Sequence, residues 1–249
     1  MPPEPPLLAE GRRLVTEAAA HGFDVRLLGG LAIWARSSNG AREALGRGYP
    51  DIDLAARKSQ SRPLRNLLEQ LGYQPERTFN ATHGARRLLY HAPDRSYHVD
   101  VFLDELGMSH NLDLGSHLAD EELTLPAAEL LLTKLQIAEL NRKDAADAAM
   151  LLLEHEPAEE DGPGKLNAGR IAALCAADWG LYTTATDNLI NIRGLLPDLA
   201  DKGARRVVAE RIDALLRRLE DEPKSRGWKL RAKIGRRRRW YEIPEEVVR

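Results

Sequence analysis

Three aspartates stand on or beside short apolar segments: Asp51 and Asp53 in Asp51-Ile52-Asp53-Leu54, and Asp100 in Val99-Asp100-Val101-Phe102. Successive side chains on a strand point to opposite faces, so Asp51 and Asp53 share one face, roughly 6 to 7 Å apart along the chain. In the second segment His98, Asp100 and Phe102 share a face, and Val99, Val101 and Leu103 take the other. Carboxylate oxygens suit Mg²⁺, one or two per ion, with waters and substrate phosphate oxygens completing the shell. Two such ions, about 3.5 to 4 Å apart, clamp the attacking and leaving oxygens of a phosphoryl transfer. Asp51, Asp53 and Asp100 are therefore candidate metal ligands and catalytic residues. The bland alternative is a D-x-D that keeps a strand edge soluble or caps a turn.

A strand-like Val25-Arg26-Leu27-Leu28 runs into Gly29-Gly30 and then a helix-like Leu31-Ala32-Ile33-Trp34-Ala35. Such a turn delivers a helix N-terminus whose exposed amides favour phosphate, which makes Gly29 and Gly30 candidate nucleotide-binding residues. Taken alone, Gly-Gly is an ordinary turn. Its place ahead of the D-x-D and a third aspartate is what points to nucleotide chemistry. Further on, Leu130, Leu131, Lys134, Leu135 and Ala138 share a helical face, so Lys134 is a cation on an apolar stripe. Either its stem lies over the core with the ammonium snorkelling to water, or the ammonium reaches a nucleotide's phosphates.

Together these residues resemble the nucleotidyltransferases with a DNA polymerase beta-like fold. The shared pattern is an apolar strand, Gly-Gly, D-x-D and a later third acid. Leu27-Leu28-Gly29-Gly30-Leu31-Ala32 and Asp51-Ile52-Asp53-Leu54 look most like the AbiEii-type toxin and aminoglycoside nucleotidyltransferase-like groups, over residues 20–155. The resemblance implies that Gly29 and Gly30 hold the phosphates of a nucleoside triphosphate such as ATP. It implies that Asp51 and Asp53 bind Mg²⁺, that Asp100 is a third ligand or the general base, and that Lys134 contacts phosphate. It also implies a toxin acting on RNA or protein with an antitoxin partner, or a transferase to a small aminoglycoside-like acceptor. A non-catalytic nucleotide- or RNA-binding module is a separate class. The stretch Arg142-Lys143-Asp144-Ala145-Ala146-Asp147 is similar to an R-x-K-D-x-x-D stretch of the AbiEii-like group, and the resemblance implies a contact to the nucleotide or to the long helix before it. On its own residues it is a Lys143 to Asp147 pair four apart on an exposed helix, a contribution of a few tenths of a kcal/mol. One departure is the long stretch between Gly30 and Asp51, which carries Gly46-Arg47-Gly48.

The elements that must position these residues read as α/β, of the α+β kind: a small mixed sheet flanked by helices, then a helical C-terminal region. A helix is expected from Leu7 to Ala20, with Leu8, Leu14, Val15 and Ala18 as its apolar stripe, and another from Arg62 to Gly72. Strands are expected over 87–91 and 97–103, joined by the turn Pro93-Asp94-Arg95-Ser96. Thr124-Leu125-Pro126 opens a long helix. The stretch 156–169, rich in Glu, Asp, Pro and Gly, reads as a linker between a catalytic domain at 1–155 and a helical region at 170–249. In that region 170–196 and 207–219 read as helices.

Composition agrees with a cytoplasmic protein: 249 residues, 43% hydrophobic and 30% charged, with a formal charge of -2. The single cysteine, Cys175, rules out a disulfide framework within one chain and sits in an apolar run, where a buried structural thiol is expected. No signal-peptide pattern follows Met1, and no apolar run is long enough to span a bilayer, so no membrane partner is expected. His91 and His98, or His110 and His117, lack the spacing of a helical zinc site, and no G-x-S-x-G occurs. From Lys224 to Arg239 there are nine Lys or Arg residues and no acid, interleaved with Trp228 and bounded by Trp240. Cations and aromatics in that arrangement suit RNA, through phosphate neutralisation and base stacking, or form a solvated tail.

Overall fold

A computed structural model describes residues 3–119 and 122–243. Met1 and Pro2 of the expected lead-in, and 244–249 of the expected C-terminal region, lie outside the described residues. The chain opens with helix α1 (Pro6–Ala20), whose buried Leu8, Leu14, Val15 and Ala18 form the anticipated stripe. Strand β1 (Val25–Leu28) leads into α2 (Gly29–Arg36), and α3 (Asn39–Leu45) fills part of the long gap before β2 (Ile52–Ala56). Next come α4 (Ser61–Gln70), the two-residue β3 (Gln74–Pro75), α5 (Arg77–His83), β4 (Arg87–His91) and β5 (His98–Leu103). Gly72 takes φ +91 just after α4, the left-handed conformation that a helix stop favours. In the turn before β5, the Asp94 carboxylate accepts from Ser96 N–H at 3.0 Å.

These strands form one mixed sheet in the order β1-β2-β5-β4-β3. Only β2 and β5 run parallel, and their register sets Ile52 beside Val99 and Asp53 beside Asp100. On the other side of β2, Leu28 of the antiparallel β1 faces Asp53. The sheet thus places the end of β1, the start of α2 and two aspartates at one spot. A small hairpin, β6 (Glu105–Gly107) with β7 (Asn111–Asp113), extends beyond β5.

The long helix expected from Thr124 is two helices. Pro126 is the N-cap of α6 (Ala127–Leu135), which stops at Gln136, and α7 (Arg142–Glu154) starts afresh with Asn141 accepting from Lys143 and Asp144 N–H. The break holds because distant side chains satisfy its backbone. Asn188 donates to the Leu135 and Ile137 carbonyls, at 2.9 and 2.7 Å, and Ser109 accepts from Ala138 N–H. Ala138 consequently leaves the Lys134 face.

The stretch expected as a linker carries two short parallel strands, β8 (Glu156–Ala158) and β9 (Lys165–Asn167). Beyond it, 170–196 is also two helices, α8 (Ala168–Ala177) and α9 (Trp179–Leu199), divided at Asp178, whose carboxylate caps α9. Helix α10 (Lys202–Asp221) and α11 (Arg226–Ile234) follow. Buried side chains from Leu8 to Leu219 belong to one hydrophobic core, so the helices after 168 share it with the sheet. Among the described residues no helix is long and apolar enough to cross a membrane.

Candidate active site

Gly29, Gly30, Asp51, Asp53, Asp100 and Lys134 all line one cleft of about 330 Å³. The sheet supplies Asp53 and Asp100, the bend just before β2 supplies Asp51, the start of α2 the glycines, and α6 the lysine. Gly29 is required twice over. Its φ is +68, and a Cβ there would lie 2.0 Å from Asp53 Oδ2. The space a side chain would fill at Gly29 is therefore the space the Asp53 carboxylate occupies. At Gly30 a Cβ would meet the Tyr49 ring and Arg47 Nη2, both at 2.7 Å, so this glycine lets the 47–49 segment lie against α2.

Asp53 makes no ion pair among the described residues. Burial first, then the charge on Asp100, pushes its carboxyl up to about 7, with Lys134 opposing and Asp51 adding to the rise. Asp51 precedes β2 and has His98 Nδ1 at 3.6 Å, so His98 neighbours Asp51 rather than Asp100. Asp100 is held differently. Arg87 gives Nε and Nη2 to its two oxygens, each at 2.7 Å. As the side chains stand, no group of three or more His, Cys, Asp or Glu among the described residues is arranged to hold a metal ion. The donor set nonetheless fits a divalent cation: Asp53, crowded by carboxylates and without a cation of its own, beside Asp51 in the same cleft. Asp100, with Arg87 on both oxygens, would join them in competition with that guanidinium.

On the helical side of the cleft, Lys134 and Asp147 are joined by Arg47 and Tyr49, which the motif reading did not single out. Asp147 is almost wholly buried and takes Arg47 through two hydrogen bonds, 2.9 and 2.6 Å long. Lys134 Nζ lies 2.7 Å from Asp144 and 3.0 Å from Asp147. Burial works to lower the lysine's pKa, but Asp147 and Asp144 outweigh it and hold it above the ordinary value. The expected Lys143 to Asp147 pair does not form, because Asp147 points inward to Arg47 and Lys134. Lys143 instead stands exposed at the cleft and makes no ion pair among the described residues. Of the two contacts considered for the 142–147 stretch, the one to the preceding helix is present. Tyr49 lies beneath the Arg47 guanidinium, and burial, with Asp147 next, pushes its hydroxyl up to about 12.

A second cleft, of about 340 Å³, adjoins the first and shares Arg87, Phe102 and Met108 with it. His83, Arg86, Glu105 and Glu242 add both signs of charge to its lining.

In the basic tail the aromatics face inward. Trp228 meets Tyr182 edge-on at 5.3 Å, and Trp240 donates Nε1–H to Thr184 at 3.0 Å. Arg231 lies over Trp179, Arg236 pairs with Asp187, and Lys224 caps carbonyls at the end of α10. Arg226, Lys229, Lys233 and Arg237 to Arg239 are exposed and make no ion pair among the described residues.

No protein-family model matches the chain, and no curated protein matches its sequence. Among solved structures, the solution structure of the antibiotic-resistance factor ANT(2'')-Ia is 14% identical, with a TM-score of 0.39, over 58% of this chain and 80% of that one. The crystal structure of JHP933 from Helicobacter pylori is 12% identical, with a TM-score of 0.39, over 91% of this chain and 94% of that one. At that likeness the functional reading rests on the residues themselves.

Proposed function

We propose that the chain is a nucleotidyltransferase, moving a nucleoside monophosphate from a nucleoside triphosphate such as ATP to a hydroxyl acceptor and releasing pyrophosphate. The observation that carries this reading is Asp53: half-buried, without a cation of its own among the described residues, in register with Asp100, and fitted into the space left by Gly29. A cation-binding acid at the foot of a glycine turn is what triphosphate chemistry needs. Mg²⁺, held by Asp51 and Asp53 and by Asp100 once clear of Arg87, would neutralise phosphate charge and orient the α-phosphorus, with room for a second ion when all three acids engage. Gly29 and Gly30 would turn the amides at the start of α2 to the triphosphate. Lys134 and Lys143 would meet its oxygens. As the acceptor oxygen bonds to the α-phosphorus, the bond to pyrophosphate breaks and Asp100 takes the hydroxyl proton. Positioning and charge neutralisation account for most of the rate.

The finer reading is an AbiEii-type toxin, working in the cytoplasm on RNA or protein and restrained by an antitoxin. The unpaired cations from Arg226 to Arg239 support an RNA acceptor through phosphate contacts rather than base stacking. A small aminoglycoside-like acceptor would use Glu105 and Glu242 in the second cleft. One observation favours a non-catalytic nucleotide-binding module instead: Arg87 engages both Asp100 oxygens.

Incubation with each α-labelled nucleoside triphosphate and Mg²⁺, adding total RNA, cell protein or aminoglycosides in turn, tests these readings. The parent is expected to transfer label, and Asp51→Asn and Asp53→Asn to lose it by roughly 100-fold or more. Equal transfer by those variants contradicts the assignment. Nucleotide binding without transfer to any acceptor selects the binding module.

A further inference from the structure

Arg87 stands where the two clefts meet and forms part of the wall of each. Its guanidinium centre lies 4.9 Å from the Phe102 ring centroid and 5.5 Å from that of Phe79. Both rings offer a face to the cation whatever anion lies in front of it. A guanidinium fork matches a carboxylate and a phosphate equally well, in bidentate geometry. The carboxylate it now holds belongs to the residue directly beside Asp53 in the sheet. With Arg87 on both its oxygens, Asp100 has only its remaining lone pairs to offer a cation in the cleft, so guanidinium and cation compete for one carboxylate.

Resting on the nucleotidyl-transfer reading, we infer that Arg87 exchanges partners. In the nucleotide-free chain it holds Asp100; when a triphosphate enters, it takes a phosphate oxygen and releases the Asp100 carboxylate to the cleft. Arg87 is then a substrate-binding residue and, through Asp100, a positioning residue. Movement of its side chain also thins the wall between the clefts, so that Asp100 faces the nucleotide on one side and an acceptor hydroxyl entering from the second cleft on the other. Metal affinity and phosphate affinity are thereby coupled through one side chain. Before nucleotide arrives, the site binds metal weakly.

The test compares the full-length parent with Arg87→Ala, Arg87→Lys and the double variant Arg87→Ala/Asp100→Asn. Mn²⁺ binding without nucleotide is read from the electron paramagnetic resonance of the free ion, and inorganic tripolyphosphate binding without metal from calorimetry. Arg87→Ala is expected to bind Mn²⁺ about tenfold tighter and tripolyphosphate about tenfold more weakly. Arg87→Lys, which keeps the charge and loses the fork, is expected to fall between, and Asp100→Asn to abolish the gain in Mn²⁺ affinity. A purely structural Arg87 would lower the unfolding temperature with neither affinity changed in this way. Should Arg87→Ala not fold, Arg87→Lys carries the comparison. Parental Mn²⁺ or tripolyphosphate affinity in a folded Arg87 variant overturns the exchange. If the parent transfers label while this occurs, the exchange alone falls; if the parent binds neither probe, the nucleotidyl-transfer reading falls with it.

Discussion

Aspartates stand on both sides of the cleft, and Asp53 on the sheet side is treated in the opposite way to Asp144 and Asp147 on the helical side. On the helical side, Asp144 and Asp147 each sit against cations: Asp147 takes both Arg47 and Lys134, and Asp144 takes Lys134. On the sheet side, Asp53 has no such partner, although burial and its neighbours push its carboxyl far above the ordinary range. A charge matched by neighbours holds a scaffold together. One left crowded and unmatched costs stability, and it persists where a ligand supplies the missing countercharge. The contrast assigns structure to Asp144 and Asp147 of α7 and ligand binding to Asp53 of β2, although these acids line or adjoin the same cleft.

The largest effect should come from breaking the paired side. Asp147→Asn leaves the half-buried Arg47 and the buried Lys134 with one acid fewer, and is expected to lower stability by about 3–5 kcal/mol in urea unfolding. A loss under 1 kcal/mol would remove the distinction between the two sides. Next comes the unmatched side, where the effect has the opposite sign. The Asp53 carboxyl titrates at about 7 in the folded chain against an ordinary 3.8. Between those values the folded chain keeps a proton that the unfolded chain has released, so stability falls as pH rises from about 4 to about 7 and stays low above. Asp53→Asn should flatten that fall and be more stable than the parent at pH 8 by roughly 2–4 kcal/mol. Thermal unfolding from pH 4 to pH 8 reads it, and a variant less stable than the parent at pH 8 would count against an uncompensated Asp53. Smallest is Lys143→Ala. This exposed, unpaired cation should change stability by no more than about 0.5 kcal/mol. Its nucleotide KM should nevertheless rise a few-fold, and an unchanged KM would place Lys143 outside the triphosphate site.

The same contrast explains which parts of the site could be read from the chain. Asp51, Asp53, Gly29 and Gly30 are local patterns, visible because strand alternation and glycine turns act over a few residues. The placing of Asp53 beside Asp100 depends on β2 pairing with β5 across α4, β3, α5 and β4, which no local pattern specifies. Arg47 and Asp147 are a hundred residues apart, and only the fold makes them partners. Arg47 had one faint signal, a cation between two glycines in the long gap before Asp51; Arg87 had only its place on the same strand face as Leu89. Lys143 to Asp147 had the right spacing for a pair and formed none, since the half-buried Arg47 and the buried Lys134 compete better for the carboxylate. The break at Gln136 was hidden for a similar reason. Its backbone is satisfied by Asn188 and Ser109, both far along the chain.

The most direct measurement is the unfolding temperature at pH 8 as Mg²⁺ is added, for the parent, Asp53→Asn and Lys143→Ala. Because an ion that binds only the folded chain stabilises it by mass action, the parent and Lys143→Ala should rise with Mg²⁺ while Asp53→Asn stays flat. Equal stabilisation of Asp53→Asn and the parent would show that the crowded aspartate is no cation site, and would contradict the division of the cleft into a scaffolding side and a ligand-binding side.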